Sequence, residues 1–138
     1  MLPVCVRAGF EVVAVPDGSD AILELIGSGQ LTSAHIPDLA IANWASAVNA
    51  RVAQAAAEPQ RPFHVILTDI VMLHTSGTQL CDVVRRCPHT SRLPILALTG
   101  NANEVDALKL CGFDHVLSKP SSKSVLLEAI ERALSAKR

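Results

Sequence analysis

The amino-acid sequence predicts an α/β fold in which a parallel β-sheet is covered by helices on both faces. Short apolar segments typical of strands alternate with helical segments along the whole chain. Several of these strands are continuous apolar runs, as expected for strands that are buried on both faces. With 138 residues, 49% of them apolar, the chain is long enough to bury one core without metals or disulfides. We therefore interpret residues 1–138 as a single domain.

The first predicted elements are a strand and a short helix. Residues 9–15 contain a β-branched run that is followed by the turn residues Pro16, Asp17 and Gly18. Apolar residues then recur at helical spacing up to Gly27, which predicts a helix.

A second helix is predicted over residues 38–57, inside a long segment that ends in a proline-containing linker. The apolar positions recur every three or four residues, and we expect them to pack against the domain: Ile41, Trp44, Val48 and Val52. Trp44 is interpreted as a core anchor.

The C-terminal half repeats the strand and helix pattern. Strands are predicted over residues 63–68, 94–99 and 115–118, and helices over residues 77–87, 102–111 and after Pro120.

Polar side chains follow or end these three strands. They are Asp69, Thr99 and Lys119. Taken singly, the aspartate is typical of a helix cap, the threonine of a strand and the lysine of a solvated surface. Since the carboxyl ends of parallel strands meet at one edge of a sheet, neighbouring strands would bring all three together.

Composition excludes several functional classes. The 12 basic and 13 acidic residues nearly cancel and form no basic run, which argues against direct nucleic-acid binding. The chain has no apolar stretch of membrane-spanning length and no secretory signal pattern, so we expect a cytoplasmic protein. The four cysteines and five histidines lack metal-site spacing, and we expect the cysteines to be buried and reduced.

The order and spacing of several motifs resemble the receiver domain of two-component response regulators and hybrid histidine kinases. The matching stretches are residues 9–13, 17–18, 65–72, 93–99, 111–114 and 117–120, together with Gly77. The resemblance implies a flavodoxin-like doubly wound sheet. It leaves out residues 28–62, which we interpret as an insertion before the strand that ends at Asp69.

The resemblance also implies roles for the strand-end residues. Asp69 would be the phosphoacceptor, Lys119 a fixed cation and Thr99 a hydrogen-bond donor to the phosphoryl group. Mg²⁺ would be bound by Asp69 and the backbone carbonyl of Val71. The donor would be a histidine kinase or histidine phosphotransfer protein, and catalysis would be limited to self-phosphorylation and autodephosphorylation. The bond between Lys119 and Pro120 is expected to be cis.

The N-terminus departs from this family pattern. The match begins at the second strand of the family, so the first strand is expected to be missing and residues 1–8 to be a remnant of the first helix. No acidic residue precedes Glu11, so the acidic pair that binds Mg²⁺ is absent and weak binding is expected. A gap in the sheet would favour low stability, strand exchange or self-association. The alternative is that residues 3–6 form a strand.

Three functional hypotheses remain. The first is a receiver that is phosphorylated on Asp69, and the second is a pseudo-receiver that keeps the fold as an interaction module. A hydrolase with an aspartyl nucleophile is remote, because Val71 occupies the place of its general acid. Val116 stands where the family has an aromatic switch residue, so we do not expect that form of switching.

Overall fold

The computed structural model describes residues 4–7, for the backbone only, and residues 11–136. The strands are β1 (Val4–Arg7), β2 (Glu11–Ala14), β3 (Val65–Asp69), β4 (Ile95–Thr99) and β5 (His115–Ser118). The helices are α1 (Gly18–Gly27), α2 (Trp44–Ala56), α3 (Gly77–Arg86), α4 (Val105–Lys109) and α5 (Lys123–Ala136). Short 3₁₀ turns cover Ser33–His35 and Ala102–Glu104. The strands form one sheet in the order β2-β1-β3-β4-β5.

The three strands of the C-terminal half are parallel, as predicted. Asp69 lies opposite Leu98 in the β3–β4 ladder, and Thr99 lies opposite Ser118 in the β4–β5 ladder. All residues of β3 and β4 are buried. This burial explains their continuous apolar sequences, because each face of the two strands is covered by helices.

The N-terminal strand corrects the predicted gap in the sheet. β1 lies between β2 and β3 and is antiparallel to both, with Val4 opposite Ala14 on one side and Leu67 on the other. The prediction of an unpaired second strand is therefore wrong, as is the helical remnant over residues 1–8, of which residues 4–7 are a strand. The backbone groups of β2 that face β1 are paired in an antiparallel ladder, so the expectation of self-association at a gap loses its basis.

Helices pack on both faces of the sheet, as the doubly wound prediction requires. One face carries the larger core cluster, to which α1 contributes Ile22 and Leu25 and α3 contributes Leu80 and Val84. The other face packs Val65, Leu67, Leu96 and Leu98 against α5. Adjacent residues of β3 belong to different clusters, which is the two-residue alternation of a strand covered on both sides.

The helix predicted over residues 38–57 is shorter in the structure. α2 begins at Trp44 rather than at residue 38, because Asn43 has a left-handed backbone with φ of 62° and ends any helix that would run back from Trp44. Trp44 is buried, and its indole N–H donates to the Pro37 carbonyl at 2.8 Å. Ile41 and Val48 pack against the core, but Val52 is 44% exposed, so its predicted contact is wrong.

A charged side chain attaches α2 to α1. The Arg51 Nε donates to the Leu23 carbonyl at 3.2 Å, and its Nη2 lies 3.4 Å from a carboxylate oxygen of Glu24. α2 is thus packed on the rest of the domain.

The cysteine prediction holds for two of the three described side chains. Cys81 and Cys87 are buried and free, whereas Cys111 is free and exposed, contrary to expectation. Cys111 follows the short helix α4, where only Leu108 is buried. The Cys5 side chain lies outside the described part. Among the described residues, no helix combines the length and apolar character needed to cross a bilayer.

Candidate functional site

The three predicted strand-end residues come together at one edge of the sheet. Asp69 ends β3 and is 7% exposed. The Lys119 Nζ, which follows β5, lies 2.8 Å from the Asp69 Oδ1. The Lys119 backbone N–H donates to the Thr99 carbonyl at 2.8 Å, which continues the pairing of β4 and β5 beyond the strands. The peptide bond between Lys119 and Pro120 is cis, as predicted.

Thr99 is held in a hydrogen-bond network of its own. Its side-chain hydroxyl donates to the Glu104 Oε2 at 3.0 Å and accepts from the Asn101 backbone N–H at 3.1 Å. Thr99 is 3% exposed, so this network closes the wall of the site next to β4. Glu104 was missed in the sequence, because it sits five residues beyond Thr99 in a 3₁₀ turn and belongs to none of the matched motifs.

A cleft of about 260 Å³ connects these residues. Its lining includes Asp69, Thr99, Lys119, Glu104 and the residue whose carbonyl was predicted as a metal ligand, Val71. The Val71 side chain is 88% exposed, so it lies at the rim of the cleft. The site therefore combines two carboxylates, one hydroxyl and one ammonium in a small volume.

The loop that follows Asp69 is fixed to the start of α1. A carboxylate oxygen of Asp17 accepts from the backbone N–H groups of His74 and Thr75, and the Gly18 N–H donates to the Thr75 carbonyl at 3.2 Å. Burial raises the pKa of the Asp17 carboxyl, but hydrogen bonds from the His74, Ser19 and Thr75 groups outweigh burial and lower that pKa below its usual value. Asp17 is therefore a structural carboxylate, and it is not among the residues that line the cleft.

The other end of this loop is shaped by a capping box. The Ser76 hydroxyl accepts from the Gln79 backbone N–H, and the Gln79 side chain accepts from the Ser76 backbone N–H. The next residue, Gly77, donates its N–H to the Ile70 carbonyl at 2.9 Å and packs directly on the Asp69 carbonyl oxygen. Only a residue without a Cβ allows α3 to start this close to β3.

The cleft contains residues whose oxygen atoms are of the kind that bind magnesium. Mg²⁺ commonly uses one or two carboxylates together with waters and phosphate oxygens. Asp69 and Val71, the two residues predicted as metal ligands, both line the cleft, and a carboxylate and a backbone carbonyl are oxygen donors of this kind. Among the side chains described for residues 11–136, no group of three or more His, Cys, Asp or Glu residues is placed to hold a metal ion.

Val116, which stands in the place of the aromatic switch residue, is part of the main core. It is 8% exposed and packs with the large apolar cluster. A buried valine has no aromatic ring to move between an outer and an inner rotamer, so the expectation against that form of switching stands.

Comparison with known proteins gives a consistent result. Residues 28–131 match the family profile described as the response regulator receiver domain. The chain is 34% identical over 82 residues to a probable cyclic di-GMP phosphodiesterase of Vibrio cholerae, covering 57% of this chain and 18% of that protein. It is 33% identical over 97 residues to the sensor histidine kinase GacS of Pseudomonas protegens, covering 67% of this chain and 10% of that protein. The chain thus spans less than a fifth of the length of either relative.

Solved structures show the same fold. The receiver domain of a sensor histidine kinase from Pseudomonas aeruginosa superposes with a TM-score of 0.60 at 19% identity, covering 92% of this chain and 79% of that one. That crystal structure contains a magnesium ion coordinated in the active-site cleft.

Proposed function

The chain belongs to the response regulator receiver family, and from this premise we propose that it accepts a phosphoryl group on Asp69 within a two-component phosphorelay. The observation that carries the proposal is the 2.8 Å contact between the Lys119 ammonium and the buried Asp69 carboxylate, in a cleft that also contains Thr99. A carboxylate held at a strand end beside a fixed cation is positioned for phosphoryl transfer.

The proposed reaction exchanges one bond to phosphorus for another. A carboxylate oxygen of Asp69 attacks the phosphorus of a phosphohistidine, and an acyl phosphate bond forms. The phosphorus–nitrogen bond breaks, and its electron pair stays on the imidazole nitrogen, which leaves as the histidine of the donor. Lys119 offsets the charge that the phosphoryl oxygens bring to the cleft, and Thr99 donates a hydrogen bond to one of them.

Asp69 and the Val71 carbonyl would hold Mg²⁺ in this function. When bound, the ion neutralises charge on the transferred phosphoryl oxygens. Weak binding follows from the donor set, because Asp69 already faces the ammonium of Lys119 and the Asp17 carboxylate is committed to the acceptor loop.

The proposed donor is a histidine kinase or a histidine phosphotransfer protein. Sensor histidine kinases are among the relatives of the chain. Val71 and Leu73 flank the site and are 88% and 85% exposed, so the rim of the cleft presents apolar area that a docking protein would cover. We treat residues 28–62 as an elaboration within this single domain, since Trp44 and Arg51 fix α2 to the rest of it.

A pseudo-receiver that is never phosphorylated is the second candidate. It is favoured by one observation: the Thr99 hydroxyl, which a phosphoryl group would need, is already bonded to Glu104. The two candidates differ in whether Asp69 forms an acyl phosphate.

The test is chemical trapping of that acyl phosphate. The chain is incubated with a small phosphodonor, with and without Mg²⁺, and reduced with borohydride before peptide mapping. Label at Asp69 that depends on Mg²⁺ and is lost in Asp69→Asn supports the receiver. The matched control is Asp82→Asn, since Asp82 is exposed on α3 and pairs only with Arg86 in the described structure. A chain that stays unlabelled under all conditions is a pseudo-receiver.

The lysine is tested in the same assay. Lys119→Met should lower the labelling rate at least about tenfold, because the cation that offsets the phosphoryl charge is removed. An unchanged rate would contradict the role of Lys119.

A further inference from the structure

The Thr99 hydroxyl has one proton to donate, and in this structure the proton is already used. A hydroxyl is a single donor with two acceptor positions. Its donor is directed to the Glu104 Oε2 at 3.0 Å, and the Asn101 carbonyl is a more distant second acceptor at 3.4 Å. The Asn101 backbone N–H occupies an acceptor position of the hydroxyl at 3.1 Å. A phosphoryl oxygen on Asp69 can accept from Thr99 only if the bond to Glu104 is broken.

Glu104 also contributes a negative charge to the cleft. Its residue lines the same volume as Asp69 and Lys119. A phosphoryl group would add further negative charge to this small space, and like charges at short range repel. Competition for the proton of the Thr99 hydroxyl and repulsion between negative charges therefore act in the same direction, and both displace Glu104.

Glu104 is placed where its displacement changes the local structure. It ends the 3₁₀ turn Ala102–Glu104 and is the residue that precedes α4. α4 has five residues, of which only Leu108 is buried. A segment with so few buried contacts is released at low cost.

We infer that Glu104 is a gate residue for the site, meaning that it holds the Thr99 hydroxyl in a hydrogen bond while the chain is unphosphorylated. Phosphoryl transfer to Asp69 displaces Glu104 from Thr99 and makes residues 102–109 more mobile. This inference rests on the proposed function and adds a regulatory contact to the same site. It also supplies a switch that does not require an aromatic residue at Val116, which is fixed in the core.

The test compares three variants with the unmodified chain in the labelling assay with a small phosphodonor and Mg²⁺. Glu104→Ala removes the competing acceptor and should be labelled roughly three- to tenfold faster, the range expected for the loss of one partly solvated hydrogen bond. Glu104→Gln keeps an acceptor without charge and should lie between the two. Asp106→Asn removes the same charge from α4 outside the cleft lining and should label within about twofold of the unmodified chain.

Amide hydrogen exchange gives a second measurement. Phosphorylation should speed exchange over residues 102–109 in the unmodified chain, and Glu104→Ala should show faster exchange there before phosphorylation. The inference is overturned if Glu104→Ala labels at the same rate or more slowly than the unmodified chain. It is also overturned if phosphorylation leaves exchange over residues 102–109 unchanged.

A third measurement separates failure of the gate from failure of the proposed function. In the unphosphorylated chain, the hydroxyl proton of Thr99 should exchange slowly with water and give an NMR resonance that disappears in Glu104→Ala. Absence of that resonance refutes the gate whether or not Asp69 accepts phosphate. A resonance in a chain that no phosphodonor labels refutes the proposed function, and the gate inference with it.

Discussion

Gly77 offers a sharp test of how α3 is positioned against β3, because one added methyl group would strike the backbone of Asp69. A Cβ at this position would overlap the Asp69 carbonyl oxygen and would lie 3.2 Å from both the Asp69 carbonyl carbon and the Ile70 Cα. The atoms it meets belong to the backbone, so no side chain can rotate away. Gly77→Ala must therefore separate the start of α3 from the end of β3.

The expected cost follows from these contacts. Overpacking of this kind costs about 1–3 kcal/mol, and a rigid backbone obstacle favours the upper end. Lengthening the hydrogen bond from the Gly77 N–H to the Ile70 carbonyl adds about 1 kcal/mol. Alanine recovers up to about 1 kcal/mol through its lower conformational entropy in the unfolded chain. The net loss in the free energy of unfolding is about 3 kcal/mol, which corresponds to a decrease in Tm of roughly 10 °C.

Gly100→Ala is the matched control. Gly100 lines the same cleft, but a Cβ there meets nothing within 4 Å. Urea unfolding followed by the fluorescence of the buried Trp44 would measure both variants. Gly100→Ala should stay within about 0.5 kcal/mol of the unmodified chain. If Gly77→Ala unfolds within about 0.5 kcal/mol of Gly100→Ala, the steric argument is refuted.

Three further predictions follow from charges and burial. Burial raises the pKa of Asp17, but hydrogen bonds outweigh it and lower that pKa below 3.8, so the charged carboxylate stabilises the folded chain at neutral pH. This stabilisation is lost as the pH falls from about 4 through the pKa of the folded state. Asp17→Asn should therefore have a lower free energy of unfolding near pH 6, and its free energy of unfolding should decrease less steeply in acid. Burial raises the pKa of the Cys81 thiol to about 11, so iodoacetamide near pH 8 should alkylate the exposed Cys111 much faster than Cys81. Equal alkylation rates of the two cysteines, measured by peptide mass spectrometry, would contradict this. Arg85 pairs with Asp114 at 2.7 Å, and both side chains are about one-fifth exposed. Arg85→Met should therefore lower the free energy of unfolding in urea by about 2–3 kcal/mol. A loss below about 1 kcal/mol would refute a stabilising role for this ion pair.

The parts of the site that were predicted from sequence depend on a simple pattern. Asp69, Thr99 and Lys119 each stand at the end of a short apolar strand, and parallel strands bring such positions to one edge. The burial of Trp44 was predicted from helical spacing in the same way.

The features that were missed depend on contacts that the local sequence does not encode. The direction of β1 is decided by ladders to two other strands, and a four-residue β-branched segment is compatible with either direction. The contact of Glu104 with Thr99 requires a 3₁₀ turn between them. The start of α2 was misplaced because the left-handed Asn43 interrupts an apolar pattern that continues on both sides of it.

The reversed direction of β1 places its first residue, and not its last, on the side of the sheet where β3 ends at Asp69. A central strand parallel to β3 would end beside Asp69 and deliver the residues that follow it, whereas β1 begins on that side, with Val4 opposite Leu67, and turns into β2 at the far edge. α5 starts just after β5 and packs on the sheet through Ala129, Ile130 and Ala133 in its C-terminal half, so it runs across the sheet and ends away from the cleft. If Asp69 accepts a phosphoryl group as proposed, an affinity tag or fused reporter placed before β1 should slow labelling of Asp69 more than the same tag placed after α5.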